Sequence, residues 1–314
     1  MRTRQNRRRE KMSVKSVQAI INGQTVTLNY NSGTGKYEGT VTAPAKSSYN
    51  QPGHYYPVII KAIDNAGNMQ TKSPTDETLG KKLQLVVKER TAPVITITYP
   101  TASAYITNNK PVITWKVADD DSGVNPDTIG IVIDSGTKIT GDAIKKKAVT
   151  GGYECSYTPD VTLTDGSHTV KMDASDYDGN AAEQKNVSFK VDTVAPTLTI
   201  VSPTDELVTN ENQCTVRGET NDATSSPVEV TVKLNSGAAV PVPVNPDGAF
   251  SSDVTLKEGL NMITIVAKDG AGKTTEVTRN VTLDTVAPVI HSATITPNPV
   301  DAGATYVISV EVTD

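Results

Sequence analysis

The sequence predicts an all-β chain built from several small sandwiches in tandem, and three observations carry that reading. Thr and Val supply 43 and 37 of the 314 residues, about a quarter of the chain, against 11 Leu. Side chains of this kind are restricted at χ1 and pack best on a pleated sheet. Apolar and polar residues alternate with period two, as at Ile263, Ile265 and Ala267, which places one face of each strand toward a core. The same strand, turn, strand pattern then returns along the chain, as expected of tandem units. One Trp and two Phe among 36% apolar residues leave too little bulk for one large core or a helical bundle.

The repeat aligns residues 163–180 with 256–273 at a constant offset of 93, pairing Leu163 with Leu256, Gly166 with Gly259, Ala174 with Ala267, Asp176 with Asp269 and Gly179 with Gly272. Upstream, Ala62, Asp64, Gly67 and Asn68 match Ala174, Asp176, Gly179 and Asn180 at an offset of 112. Val58, Ile60 and Ala62 alternate in the first copy, and Val170, Met172 and Ala174 in the second. The Asp and Gly positions predict tight turns, because Asp bonds its own turn backbone and Gly accepts positive φ.

Punctuation repeats as well, with RTAP at 90–93, DTVAP at 192–196 and DTVAP at 284–288, each followed by an alternating strand. The linker prolines are 103 residues apart (Pro93 to Pro196) and then 92 (Pro196 to Pro288), close to the length of a seven-stranded sandwich. The division expected is a basic leader at 1–11, sandwiches at 12–90, 91–193 and 194–285, and a partial repeat at 286–314. Linkers with Pro and without Gly read as semi-rigid.

Formal net charge is -5, but residues 1–11 carry +5, so the remainder carries -10. An acidic body argues against a nucleic-acid grip. MSVKSVQAIING already alternates like a strand, so the leader does not read as a secretory signal peptide. Arg7, Arg8 and Arg9 lie just upstream of Met12, where purine-rich Arg codons would serve as a ribosome-binding site, and translation is expected to begin at Met12. A solvated disordered tail and an arm for nucleic acid or an anionic surface are the other readings of that leader. No apolar run approaches the ~18 residues of a membrane helix, and two Cys with three His are too few for a zinc or haem framework.

With the late motif of Leu, Gly, alternating strand, Ala-x-Asp and Gly-Asn, and the Ala-Pro start, all three complete units resemble bacterial immunoglobulin-like domains. The third, with PTLTIVSPTDELVTNENQCTVRGET and NPDGAFSSDVTLKEGLNMITIVAKDGAGK, is similar to sandwiches appended to bacterial glucan hydrolases and surface proteins. The first two, with MSVKSVQAIINGQTVTLNY, SSYNQPGHYYPVIIKAIDNAGN and NNKPVITWKVADDDSGVNPDTI, resemble immunoglobulin-like proteins of tail gene clusters in phages and prophages of Gram-positive hosts. That resemblance implies a non-enzymatic structural or adhesive protein of a phage virion, tail-associated, making weak polyvalent contacts with host surface glycans or mucus. A stalk or accessory fragment of a secreted adhesin or glucan-active hydrolase, on the bacterial surface or secreted, is the alternative.

Residues 289–314 supply two alternating strands around PNPVDAG, where a sandwich needs about seven strands. They read either as a truncated copy or as a docking element that finishes its sheet on another module or on virion or tail proteins.

No constellation for catalysis is expected. His54, His168 and His291 fall in different units. Because the place of His168 is taken by Tyr56 and Asn261 in the other copies, it reads as a half-exposed strand position. Cys155 and Cys214 also fall in different units and read as buried free thiols rather than a bridge. Asn186 and Asn280 sit in last strands, but the early strands VITITYP and TLTIVSP offer no Lys for a cross-link. Trp115 reads as the buried Trp of the second unit.

Two clusters are candidate binding sites. Asp119, Asp120 and Asp121 crowd one loop, and Asp173, Asp176 and Asp178 crowd one turn with Asp192 at the nearby linker. Oxygen donors in this density suit calcium, and Asp173, Asp176, Asp178 and Asp192 are the expected ligands, confined to the second unit because the DNAGN and DGAGK turns lack the second acid. Turn capping is the plain alternative. Tyr49, Tyr55 and Tyr56 gather around a Gly/Pro loop, as aromatic rings do where they stack on sugars, although alternation puts Tyr55 and Tyr56 on opposite faces.

Overall fold

A computed structural model describes residues 13–314; the leader at 1–11 and the start expected at Met12 lie outside the described residues. The described residues form 24 strands, short 3-10 turns and no α-helix. They divide into two compact units, one holding the residues up to Ala104 with Lys110–Thr162 and Ser167–Phe189, the other Tyr105–Asn109, Leu163–Gly166 and Lys190–Asp314. Among the described residues no helix is long and apolar enough to cross a membrane.

In the first unit, β1 (Val14–Ile21), β2 (Gln24–Asn31), β3 (Lys36–Glu38), β4 (Tyr56–Asp64) and β5 (Met69–Lys72) form a sheet ordered β3-β2-β1-β4-β5, and β6 (Gln84–Leu85) pairs with the start of β4. Asn22 and Gly23 connect β1 to β2 with φ of 47° and 77°, the left-handed pair that a twisted two-residue hairpin requires. This is one six-stranded sheet, not two facing sheets. The reason lies in composition: only Val17, Ala19 and Tyr56 are buried apolar residues here, and the inward positions of β2 are no more than half-buried.

Residues 91–193 contain β7 (Val94–Tyr99), β8 (Tyr105–Ile106), β9 (Ile113–Ala118), β10 (Val124–Ile133), β11 (Lys145–Val149), β12 (Gly152–Tyr157), β13 (Gly166–Asp176) and β14 (Lys185–Val191). Within the first unit, one sheet runs β11-β12-β9-β7 and a second runs β10-β13-β14. Ile95, Ile113, Trp115 and Val117 of the one and Ile129, Ile131, Val170, Met172 and Phe189 of the other are buried, which is the interior of a sandwich. Trp115 takes the core place expected of it.

In the second unit, Lys190 and Val191 at the end of β14 pair in parallel with Tyr105 and Ile106 of β8. Then come β15 (Thr197–Ser202), β16 (Leu207–Thr209), β17 (Gln213–Asn221), β18 (Glu229–Leu234), β19 (Val240–Val242), β20 (Ala249–Thr255), β21 (Gly259–Lys268) and β22 (Thr274–Leu283). They form the sheets β15-β17-β20 and β16-β22-β21-β18-β19 around Val216, Phe250, Val230, Ile263, Ile265 and Val281. The final strands, β23 (Val289–Thr296) and β24 (Val307–Thr313), pair with each other, and Ile290, Ile295, Ile308, Val310 and Val312 remain exposed. The three turns read from the repeat close as expected, with Gly67, Gly179 and Gly272 at φ of 89°, 93° and 87°.

Candidate functional site

The Asp that opens each of these turns is fixed by the turn itself. Asp64 Oδ1 accepts the Asn68 N–H at 2.8 Å, Asp176 Oδ1 that of Asn180 at 2.7 Å, and Asp269 Oδ1 that of Lys273 at 2.8 Å. In two of the three copies further acids converge on this carboxylate. Glu89, Asp119 and Asp176 each place an oxygen within 4.8 Å of the others, and so do Asp192, Asp222 and Asp269.

The two triads are one arrangement used twice. Glu89 to Asp192 and Asp119 to Asp222 are both steps of 103 residues, and Asp176 to Asp269 is the repeat step of 93. Each triad therefore joins an acid of the linker, an acid following β9 or β17, and the turn Asp at the end of β13 or just after β21. A serine three residues after the second acid lies beside the linker acid in both. The Ser122 N–H donates to Glu89 Oε1 at 2.7 Å, and the Ser225 hydroxyl donates to Asp192 Oδ2. Asp119 Oδ1 also takes the Gly123 N–H at 2.7 Å, and Asp222 Oδ1 takes those of Thr224 and Ser225 at 2.8 and 2.6 Å.

Burial is deep. In the second triad Asp192, Asp222 and Asp269 are 0%, 8% and 4% exposed. In the first, Asp119 and Asp176 are buried and Glu89 is half-buried. Two side-chain oxygens at these places lack any hydrogen-bond partner, Asp269 Oδ2 and Ser122 Oγ. Among the described residues no Lys or Arg forms an ion pair with any of the six acids. The Lys190 ammonium, near the second triad, bonds the Thr224 carbonyl at 3.3 Å and sits over the Tyr105 ring instead.

The structure separates the four acids expected to act together. Asp176 and Asp192 enter different triads, Asp173 pairs with Lys138, and Asp178 Oδ2 accepts the Glu89 N–H at 3.0 Å. The acids that approach each turn Asp come not from the turn itself but from the linker and from the loop after β9 or β17. Sequence proximity marks Asp119 as part of an acidic loop but does not single out Glu89, Asp222 or Asp269, whereas the 103-residue offset between linkers carries Asp119 onto Asp222.

Family comparisons agree with this repeat. Residues 100–193 match the bacterial Ig-like domain family, and residues 196–285 match domain B of glucodextranase. The two matches lie end to end on the two β-sandwiches. Over 206 residues it is 29% identical to Bacillopeptidase F of Bacillus subtilis (strain 168), a match spanning 65% of this chain and 13% of that protein. Among solved structures it is similar to the fibronectin(III)-like modules of Clostridium thermocellum CbhA, with 15% identity, TM-score 0.36 and 61% and 94% of the two chains covered. It is similar also to the tetra-tandem repeat in the extending region of a large adhesion protein, with 17% identity, TM-score 0.33 and coverage of 95% and 79%.

The other candidate residues fall into packing roles. Tyr56 is buried with its hydroxyl donating to the Lys46 carbonyl at 3.2 Å. Tyr49 stacks on Tyr177 at 4.1 Å and on His54 at 4.5 Å between ring centroids, and Tyr55 is half-buried. The three tyrosines thus do not form one exposed aromatic platform. Burial also raises the Tyr177 hydroxyl above its ordinary value, with Tyr49 adding to the effect.

His168 corrects an expectation: it is buried, not half-exposed. Tyr56, His168 and Asn261 are buried alike, because each polar tip finds a local partner, and variety at this position reflects different partners. His54 and His291 are exposed, and His54 Nδ1 bonds the Tyr49 carbonyl. Cys155 and Cys214 are buried free thiols.

Proposed function

We propose that this chain is a non-enzymatic structural module that carries Ig-like domains on an exterior surface. The observation that supports it is the tie between each of the first two linkers and the head of the domain that follows, made by Glu89 to Ser122 and by Asp192 to Ser225. Side chains that could do chemistry elsewhere are spent on such ties, on turns and on cores.

Two settings fit this role. The similarity to Bacillopeptidase F and to glucodextranase domain B favours a secreted or cell-surface protein, with this chain as stalk or accessory region. The resemblance of the first two domains to tail-cluster Ig-like proteins favours a phage virion, with weak polyvalent contacts to host glycans or mucus. In that setting the exposed apolar residues of β23 and β24 are the attachment surface, and its occupant is the tail protein on which the chain assembles.

Antibody labelling of purified particles after prophage induction, alongside washed cells and culture medium, separates the settings. Label on particles supports the virion. Label confined to cells or medium supports the stalk, and label retained in the cytoplasm overturns both.

A further inference from the structure

We propose that the two acidic triads are binding sites for a hard divalent cation, calcium, one at the head of each of the last two complete Ig-like domains. Clustered acids alone would not carry this, since carboxylates in turns commonly cap backbone amides. The deciding observation is Asp269 Oδ2, an oxygen of the second triad's turn residue that is buried without a hydrogen-bond donor, while its sister oxygen takes the Lys273 N–H. A carboxylate oxygen withdrawn from water and given no donor requires a cation or a proton. Asp192 and Asp222 complete the triad, and among the described residues no ammonium or guanidinium is paired to any of the three.

The first triad repeats the arrangement and adds its own orphan, the buried Ser122 hydroxyl, on the residue whose N–H holds Glu89. Three acids recurring at the same three places, on segments that are distant in sequence, are not a by-product of one turn. The turn alone is represented by Asp64: it has the same amide cap, from Asn68, but among the described residues it belongs to no triad. Every donor offered is oxygen, which selects hard ions over zinc or copper. Calcium tolerates irregular sets of six to eight oxygens, whereas magnesium demands a near-ideal octahedron and retains water. Backbone carbonyls and water would complete the shell.

The inference holds in either setting proposed above and is tested on the full chain after stripping with EDTA. Calcium titration by calorimetry, with terbium luminescence as a second probe, is expected to show two sites per chain, and calcium is expected to raise the melting temperature. Asp269→Asn and Asp176→Asn should each leave one site and together none, while Asp64→Asn should leave both. No binding at millimolar calcium, the weak end of extracellular sites, overturns the proposal, as does a stoichiometry unchanged in the double variant. If a variant fails to fold by circular dichroism, the wild-type chain decides: a melting temperature identical in EDTA and in calcium overturns it. Stability that rises on acidification without responding to calcium would assign the orphan oxygen a proton, and would also overturn it.

Discussion

His168 Nδ1 lies 2.9 Å from Asp134 Oδ2, and the other oxygen of Asp134 accepts the Thr169 N–H at 2.8 Å. One domain later Asn235 holds Asn261 in the same way, donating to its side-chain oxygen at 3.1 Å and accepting the Met262 N–H at 2.8 Å. Asp134 and Asn235 both sit at φ of 53°, a left-handed position that Asp and Asn tolerate better than other non-glycine residues. Asp134→Ala removes a bond to a buried ring and a bond to a backbone amide, and should destabilise its domain by about 1–3 kcal/mol. Trp115 is the one Trp of the chain and lies in the core of that domain, so its fluorescence during urea unfolding reads the loss directly. An unchanged midpoint would mean that the pair is incidental.

Period-two alternation and the Asp/Gly turns made most strands legible, because both signals are local and the side-chain period of a strand is fixed by its pleat. Two-sheet packing was less legible. QTVTLNYN alternates as well as any strand here, yet residues 13–90 build one sheet, because sandwich formation depends on total buried volume and not on pattern. The triads were half legible: Asp176 and Asp192 stand out in the sequence but fall in different triads, since a search by proximity in sequence cannot see that the linker folds back on a turn some 80 residues away. Repeat offsets hold that information. Stepping Glu89 and Asp119 forward by 103 residues recovers Asp192 and Asp222 without coordinates.

Burial pushes the Cys155 thiol up to about 11, opposed by the nearby charge of Lys146, and raises Cys214 as well. The native protein should therefore resist thiol reagents at pH 8, where the nucleophilic thiolate is scarce and the sulfur is covered, and both thiols should react once urea unfolds the chain. The sign of the linkage follows. An unfolded Cys ionises near 9.0 and the folded Cys155 only near 11, so its contribution is intact below about 9 and is lost as the pH rises from there through about 11. Fast labelling of folded protein at pH 8 would show that the β9 and β12 strands open locally.

Gly218 lies in β17 where that strand is flanked on both sides. A Cβ added there would stand 2.5 Å from the Thr199 carbonyl oxygen and 2.6 Å from the Phe250 ring, and the carbonyl belongs to a paired strand that cannot withdraw. Gly218→Ala should cost about 1–3 kcal/mol through overpacking. Hydrogen exchange on the β15 and β17 amides would detect the loss as faster exchange, while amides around Trp115 stay protected. Equal protection in the variant would mean that the sheet absorbs the methyl group without strain.

The linker motif DTVAP divides its work between its first two residues. Asp192 enters a triad, whereas the Thr193 N–H and hydroxyl both donate to Asp165 Oδ1, at 3.0 and 2.9 Å. At the next linker Glu258 receives the N–H and hydroxyl of Thr285 at 3.2 and 2.8 Å, and Asp165 to Glu258 is again the repeat step of 93. The Thr is thus a clasp between a linker and the turn that precedes the last long strands of the domain before it. Thr193→Val keeps the shape and removes the hydroxyl donor, so the linker should open locally at a small free-energy cost while the sandwich cores remain intact. Limited proteolysis followed by intact mass should then show faster cleavage within 190–196 and an unchanged melting temperature. Thr285→Val should act in the same way within 283–288. Cleavage at wild-type rates in both variants would reduce the clasp to a surface contact with no hold on the linker.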